Sequence, residues 1–323
     1  FRGRESLGGG LEAGFWLEAG FDSDSGVGKS TSENNVTKAG GDGIGFNRRS
    51  TVSLISSWGE LRLGRDKNPL YDGFNDFDPF GGDTVGAAYM WQAGREMYNN
   101  TTAVKRVSNS IGYHLPKDLG GLYGRVMVAF GEQSSDAPAS NIYKGDGDFA
   151  GIYAGYDNKG PFTAGASYGK TKYSYYVPKA KGGDLTNYQL GATYDFKVVK
   201  LWALYSHDTV GASVAHQELN GSGWSLGLTA PIGKGNLAAS YSTYKWNNGY
   251  DQKGKPYYVG TPDGDKFSVG YFYSMSKRTW LYGALGTISM NDGLDTPLAG
   301  SKFNSGTLSG RSTGIDLGIR HSF

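Results

Sequence analysis

Hydrophobic side chains in this chain recur at every second position. Over residues 11–21 the odd positions hold Leu11, Ala13, Phe15, Leu17, Ala19 and Phe21, with Glu12, Gly14, Trp16, Glu18 and Gly20 between them. Over 187–196, Tyr188, Leu190, Ala192, Tyr194 and Phe196 alternate with Asn187, Gln189, Gly191, Thr193 and Asp195. Over 265–275, Phe267, Val269, Tyr271, Tyr273 and Met275 alternate with Lys266, Ser268, Gly270, Phe272 and Ser274. A period of two marks a β-strand with one apolar and one polar face. No comparable run sets apolar residues at helical spacing. The polar face decides what such strands can build. Gly, Ser, Thr, Asn, Gln, Asp, Lys and Arg cannot fill a core of this size, so that face meets water and the apolar face meets lipid.

Connection lengths alternate as well. Short ones at 7–10, 57–59, 116–121, 157–161, 197–199, 231–235 and 276–277 separate long polar ones at 22–44, 66–102, 132–147, 171–184, 208–221, 247–264 and 289–308. All tight turns then lie at one end and all long loops at the other, the layout of an up-and-down outer-membrane barrel. Strands are expected at 1–6, 11–21, 46–56, 60–65, 103–114, 122–131, 148–156, 162–170, 185–196, 200–207, 222–230, 236–246, 265–275, 278–288 and 309–323. Single-chain bacterial barrels have even strand counts. The expected fold is therefore all-β, a transmembrane antiparallel barrel of sixteen strands whose first strand is missing from this chain. Residues 1–323 read as a single domain.

Composition narrows the functional classes. The 53 glycines and 14% aromatic residues disfavour a helical bundle, and aromatic content this high disfavours disorder. No stretch approaches 18 apolar residues, so no membrane-spanning helix is expected. A net charge of +2 lacks the basic excess of a nucleic-acid binder. The chain has no cysteine, which excludes thiolate chemistry and fits an outer-membrane setting. It does not open on a charged start followed by an apolar core, as expected of a mature exported form.

Enzyme-like motifs do not survive their structural requirements. GASYG at 165–169 and GWSLG at 223–227 match the serine-hydrolase elbow, but neither leads from a strand into a helix. GVGKST at 26–31 lacks the first glycine of a phosphate loop, because Ser23 stands there. Asp22 and Asp24 begin a calcium-loop pattern with no closing glutamate. His114, His207, His216 and His321 have no metal spacing. No enzymatic activity, cofactor or metal is expected.

Four stretches carry a resemblance from one end of the chain to the other. They are RGRESLGGGLEAGFWLE at 2–18, FNRRSTVSL at 46–54 followed by WGELRLGR at 58–65, MSKRTWLY at 275–282, and GIRHSF at 318–323. In these the chain is similar to the general porins of Gram-negative bacteria, and in particular to their β-proteobacterial (Bordetella, Comamonas and Burkholderia-like) branch. The resemblance implies an outer-membrane homotrimer through which small hydrophilic solutes and ions diffuse passively. It also implies that loop 22–44 latches onto a neighbour, and that outer-membrane lipid and lipopolysaccharide surround the barrel. The terminal Phe323 resembles the signal read by the outer-membrane insertion machinery.

In that family the third long loop, here 66–102, folds into the lumen and narrows it. The stretch DPFGGD at 78–83 is close to the corresponding enterobacterial stretch, and Pro79 with two glycines suits a sharp bend. Asp72, Asp76, Asp78 and Asp83 are the candidate constriction carboxylates. The facing bases are Arg106, which shares polar parity with Ser108, Ser110 and Gly112, together with Lys105, Arg125, and Arg48 or Arg49. The family match favours Arg48, whereas parity favours Arg49, and a bulge would reconcile them. Opposed Asp and Arg across a narrow aqueous gap set up a strong transverse field. A slight anion preference is expected. The alternative is a substrate-selective channel for small organic anions.

Overall fold

The computed structural model describes residues 1–22, 25–32, 35, 43–88, 105–133, 144–173, 183–212, 218–246, 264–290 and 311–322. The strands are β1 (Arg2–Gly8), β2 (Leu11–Glu18), β3 (Arg49–Ser56), β4 (Gly59–Lys67), β5 (Arg106–His114), β6 (Leu122–Ala129), β7 (Phe149–Asp157), β8 (Phe162–Thr171), β9 (Leu185–Asp195), β10 (Lys200–Val210), β11 (Leu219–Ile232), β12 (Gly235–Trp246), β13 (Gly264–Ser276), β14 (Thr279–Met290) and β15 (Arg311–His321). Each pairs antiparallel with its neighbours in chain order to form one sheet of fifteen strands, with β1 and β15 as its edges. Of the sixteen strands expected, fifteen are present among the described residues, each overlapping its expected span.

The two faces separate as the alternation requires. Adjacent residues in the middle of β11 show it: Leu226 is 56% exposed and Ser225 is 2% exposed. The exposed face carries Val52, Leu63, Ile111, Val126, Ile152, Leu190, Leu226, Phe267, Ile315 and Leu317. Cross-strand register extends it into a continuous surface: Leu190 lies opposite Tyr205, Tyr205 opposite Trp224, and Leu226 opposite Tyr241. An apolar area this large is left bare only where lipid covers it. The other face is polar, with Asn187, Gln189, Ser206, Ser225, Ser240, Ser242, Lys266 and Ser268 on it.

The one helix among the described residues, α1 (Pro69–Asn75), follows β4 directly. No helix is expected from the sequence, and this one is too short for periodicity to show. Its signal is local instead. The Asn68 side chain caps the helix by accepting from the Tyr71 N–H at 2.9 Å, and Pro69 supplies the first helical position. Leu70, Tyr71 and Phe74 are buried. The helix lies against β6, β7, β8 and β9 on the polar face.

The alternation makes the lipid-facing wall intolerant of charge. Leu226→Arg, at mid-height of β11, is expected to destabilise the folded barrel by about 2–4 kcal/mol. Denaturant titration in lipid vesicles measures this, and an unchanged midpoint would place that face in water.

Candidate functional site

Beyond α1, the chain crosses the inner face from one side of the sheet to the other. Leu70 joins Val107, Met127, Ala129 and Phe149 in a buried cluster. Phe77 lies over Gly165 of β8 and Gly191 of β9, and Pro79 lies over Gly227 of β11. Phe80 packs with Ala238 and Ala284, its ring 6.2 Å from that of Phe272. At the far end, the Val85 N–H donates to Asp316 Oδ2 at 2.7 Å and Lys266 Nζ donates to the Ala87 carbonyl at 2.6 Å. Residues 69–88 are thus laid along the inner wall from β6 to β15. Residues 89–102 of the expected loop lie outside the described residues.

Three of the four candidate carboxylates are taken up in holding the loop, two by binding the wall and one by closing the loop's own turn. Asp72 pairs with Arg125 Nη2. Asp76 Oδ2 accepts from the hydroxyls of Tyr153 at 2.7 Å and Tyr123 at 3.3 Å. Asp78 is buried and its Oδ2 accepts from the Gly82 N–H at 2.7 Å, closing a tight turn. Gly81 and Gly82 both have φ near +60°, which glycine adopts without strain. Asp83 alone of the four is exposed.

The basic residues divide in the same way. Arg125 is 5% exposed, held between Asp72 and Asp66, and so lies beneath the loop rather than opposite it. Arg49 lies 3.7 Å from Asp66, with its guanidinium 4.3 Å from the Trp16 ring. Arg62 pairs with Asp66 at 2.6 Å and Glu60 at 2.9 Å. Arg48 is exposed and pairs with Glu18. Lys67 and Lys105 sit 4.6 and 4.2 Å from the Tyr71 ring. Arg106 Nε donates to the Arg48 carbonyl at 2.8 Å. Arg48, Arg106 and Asp83 all lie close enough to Tyr71 to act on its hydroxyl electrostatically.

The structure revises two expectations. Arg49 shares the inner face with Thr51 without a bulge, because β3 begins at Arg49 and its register with β2 runs unbroken, while Arg48 is exposed and paired with Glu18 just before the strand. Arg48 precedes the strand, so alternation does not govern it. The parity argument for Arg106 does not hold, because the β4–β5 register shifts between Gly64 and Asp66 and Asn109 has φ +55°. That bulge turns Val107 inward under Leu70, and Arg106 reaches the cluster as the first residue of β5. Sequence reasoning missed Glu18, Lys67 and Tyr71. The Asn68-Pro69 helix start was the signal for Tyr71; Lys67 lies beyond the bulge, and nothing in the period marks it. Phe323 lies outside the described residues.

A single antiparallel sheet with an apolar exterior, a polar interior and an inward loop defines the class of outer-membrane β-barrel channels. The model of the Gram-negative porin family matches residues 1–293. The chain is 33% identical to outer membrane porin protein 32 of Delftia acidovorans, over all of this chain and 83% of that protein. It is 31% identical to an outer membrane porin protein of Bordetella pertussis, over all of this chain and 81% of that protein. Among solved structures, an anion-selective porin from Comamonas acidovorans superposes with a TM-score of 0.78 at 30% identity, covering all of this chain and 88% of that one. The Salmonella typhi OmpF structure shares the fold, with a TM-score of 0.62 at 16% identity over all of this chain and 88% of that one. The chain belongs to the Gram-negative porin family. It is an outer-membrane porin, a water-filled channel for passive diffusion of small hydrophilic solutes and ions.

Burial raises the Asp78 carboxyl to about 6, against the pull of the Gly82 N–H and Lys266. A carboxyl raised in the folded state contributes most below its ordinary pKa near 4, and that contribution is lost as pH rises through 6. Asp78→Asn, which keeps the acceptor oxygen, is expected to raise the thermal unfolding midpoint at pH 7 and to leave it unchanged at pH 4. Calorimetry at the two pH values checks this.

Proposed function

We propose that segment 66–102 narrows the channel and that the cluster around Tyr71 gives it a preference for anions. The observation that carries this reading is the charge balance beside the loop. Arg48, Lys67, Lys105 and Arg106 stand against Glu18 and Asp83, and the other loop aspartates are occupied in binding the wall (Asp72, Asp76) or closing the loop's turn (Asp78). An excess of cations beside low-dielectric walls raises the local concentration of anions. The anion-selective relative from Comamonas acidovorans supports the same sign. Asp83 is the exposed carboxylate left to oppose the bases and set up a transverse field.

In this reading the porin works as a homotrimer in outer-membrane lipid with lipopolysaccharide, and its last strand, ending in Phe323, serves the insertion machinery. A solved Vibrio cholerae OmpT of the same fold is described as a trimer. A substrate-selective channel for small organic anions is the second reading, favoured by the density of guanidinium groups on β3, β4 and β6. It differs in showing saturable block of conductance by its substrate.

Planar-bilayer recording tests the proposal. Deleting residues 70–102 is expected to raise single-channel conductance; an unchanged value places the loop outside the permeation path. Arg106→Gln is expected to shift the reversal potential in a KCl gradient toward cations; no shift removes Arg106 from the selectivity cluster.

Lys105 adds a pH dependence. Burial lowers its ammonium to about 7, helped by the neighbouring Arg106, Lys67 and Arg48. Lysine is charged below its pKa, so anion preference is expected to weaken as pH rises from 6 to 9. Lys105→Arg is expected to hold the preference constant, and reversal potentials across that range measure both.

A further inference from the structure

Glycine is disfavoured inside strands, and where it persists another chain segment often approaches closely. Six inner-face glycines of this sheet lie directly beneath the inward loop. A Cβ built on Gly165 or Gly169 would come within 2.9 Å of Phe77 or Leu70, and one on Gly227 within 2.6 Å of Pro79. On Gly270 it would come within 2.9 Å of the Phe80 ring. The contacts are closer still at Gly191, against the Phe77 ring, and at Gly286, against the Val85 carbonyl. The six lie on β8, β9, β11, β13 and β14, along the path that residues 69–88 take across the wall.

We propose that these wall glycines are positioning residues for permeation, forming a bed that sets how far the loop stands into the channel and hence the free cross-section. A methyl group at any of them occupies space now filled by a loop atom, a side chain at five of them and the Val85 carbonyl at Gly286. Packed interiors answer an added methyl by shifting backbone rather than by compressing. The barrel wall is fixed by ladders on both sides of β9, while the loop is free to move on its lumenal side, so the loop yields. Gly191 is the sharpest case because it meets the Cβ, Cγ and Cδ2 atoms of Phe77 together. The bed is separate from the bases of the charged cluster, which sit just before β3 (Arg48), at the end of β4 (Lys67) and just before and at the start of β5 (Lys105 and Arg106). It therefore acts on pore size while leaving the wall-borne bases where they are.

This inference rests on the loop being the narrowing element. The test is single-channel recording of the full chain in planar bilayers, with folding monitored by heat-modifiable gel mobility. Gly191→Ala is expected to lower conductance and leave the KCl-gradient reversal potential unchanged, and adding Phe77→Gly to it, which removes the Phe77 Cβ as well as the ring, is expected to restore the conductance. Gly227→Ala, beneath Pro79, gives an independent reading should Gly191→Ala fail to fold. Gly14→Ala, an inner-face glycine with ordinary contact distances and no loop atom near it, is the control expected to change nothing. Unchanged or increased conductance in folded Gly191→Ala and Gly227→Ala overturns the proposal, as does a loss that Phe77→Gly does not relieve. If those variants are silent while deletion of 70–102 raises conductance, only the glycine bed fails. If the deletion is silent too, the loop's narrowing role fails with it.

Discussion

A chain crossing hydrocarbon must satisfy every backbone N–H and C=O from within the protein, because no water is present to do so. An antiparallel sheet meets that requirement through its neighbours, which frees the side chains to meet two different solvents. In this porin the division is made residue by residue. Leu226 faces outward and Ser225 inward, although they adjoin in sequence and share one strand. A one-residue slip in register would exchange the two faces of a strand, so the long ladders of β8 to β15, whose only register shift lies at the Ser274–Ser276 end of β13, fix the inside of the channel as firmly as its outside.

The inward loop draws on that fixed wall. Its helix is capped at Asn68 and packed by Leu70 and Phe74; its turn is closed by Asp78 and Gly82; its far end is tied by Asp316 and Lys266. A segment lying in a water-filled channel has little apolar surface available above it. Its stability comes from the wall below, through apolar contacts, buried ion pairs and hydrogen bonds spaced along its length. The attachment consumes most of its carboxylates, and the basic cluster beside Tyr71 is thereby left with a surplus of charge.

The strands were legible because period-two alternation is repeated over many residues and is imposed by solvents on both sides. Helix α1 was not, since seven residues offer too little period and the only cues were Asn68 and Pro69. Charge placement was partly legible. Arg106 and Lys105 do reach the loop, but the bulge at Asn109 removes the parity that had placed Arg106, and Val107 turns in beside it. Nothing in the sequence separates Asp78 and Arg125, which are buried between loop and wall, from Asp83 and Arg48, which are exposed. That distinction depends on which inner-face positions the loop covers.

The central claim is that one face of each strand is wet and the other touches lipid. Because the chain has no cysteine, a thiol introduced at any position is the only one present. The direct measurement is single-cysteine scanning through Leu219–Ile232 in lipid vesicles, reading modification by a charged, membrane-impermeant thiol reagent. The account predicts reaction with a period of two, fast at inner-face positions clear of the loop and absent at Trp224, Leu226 and Leu228. Uniform reactivity along the strand, or reaction confined to the Leu226 face, would contradict it.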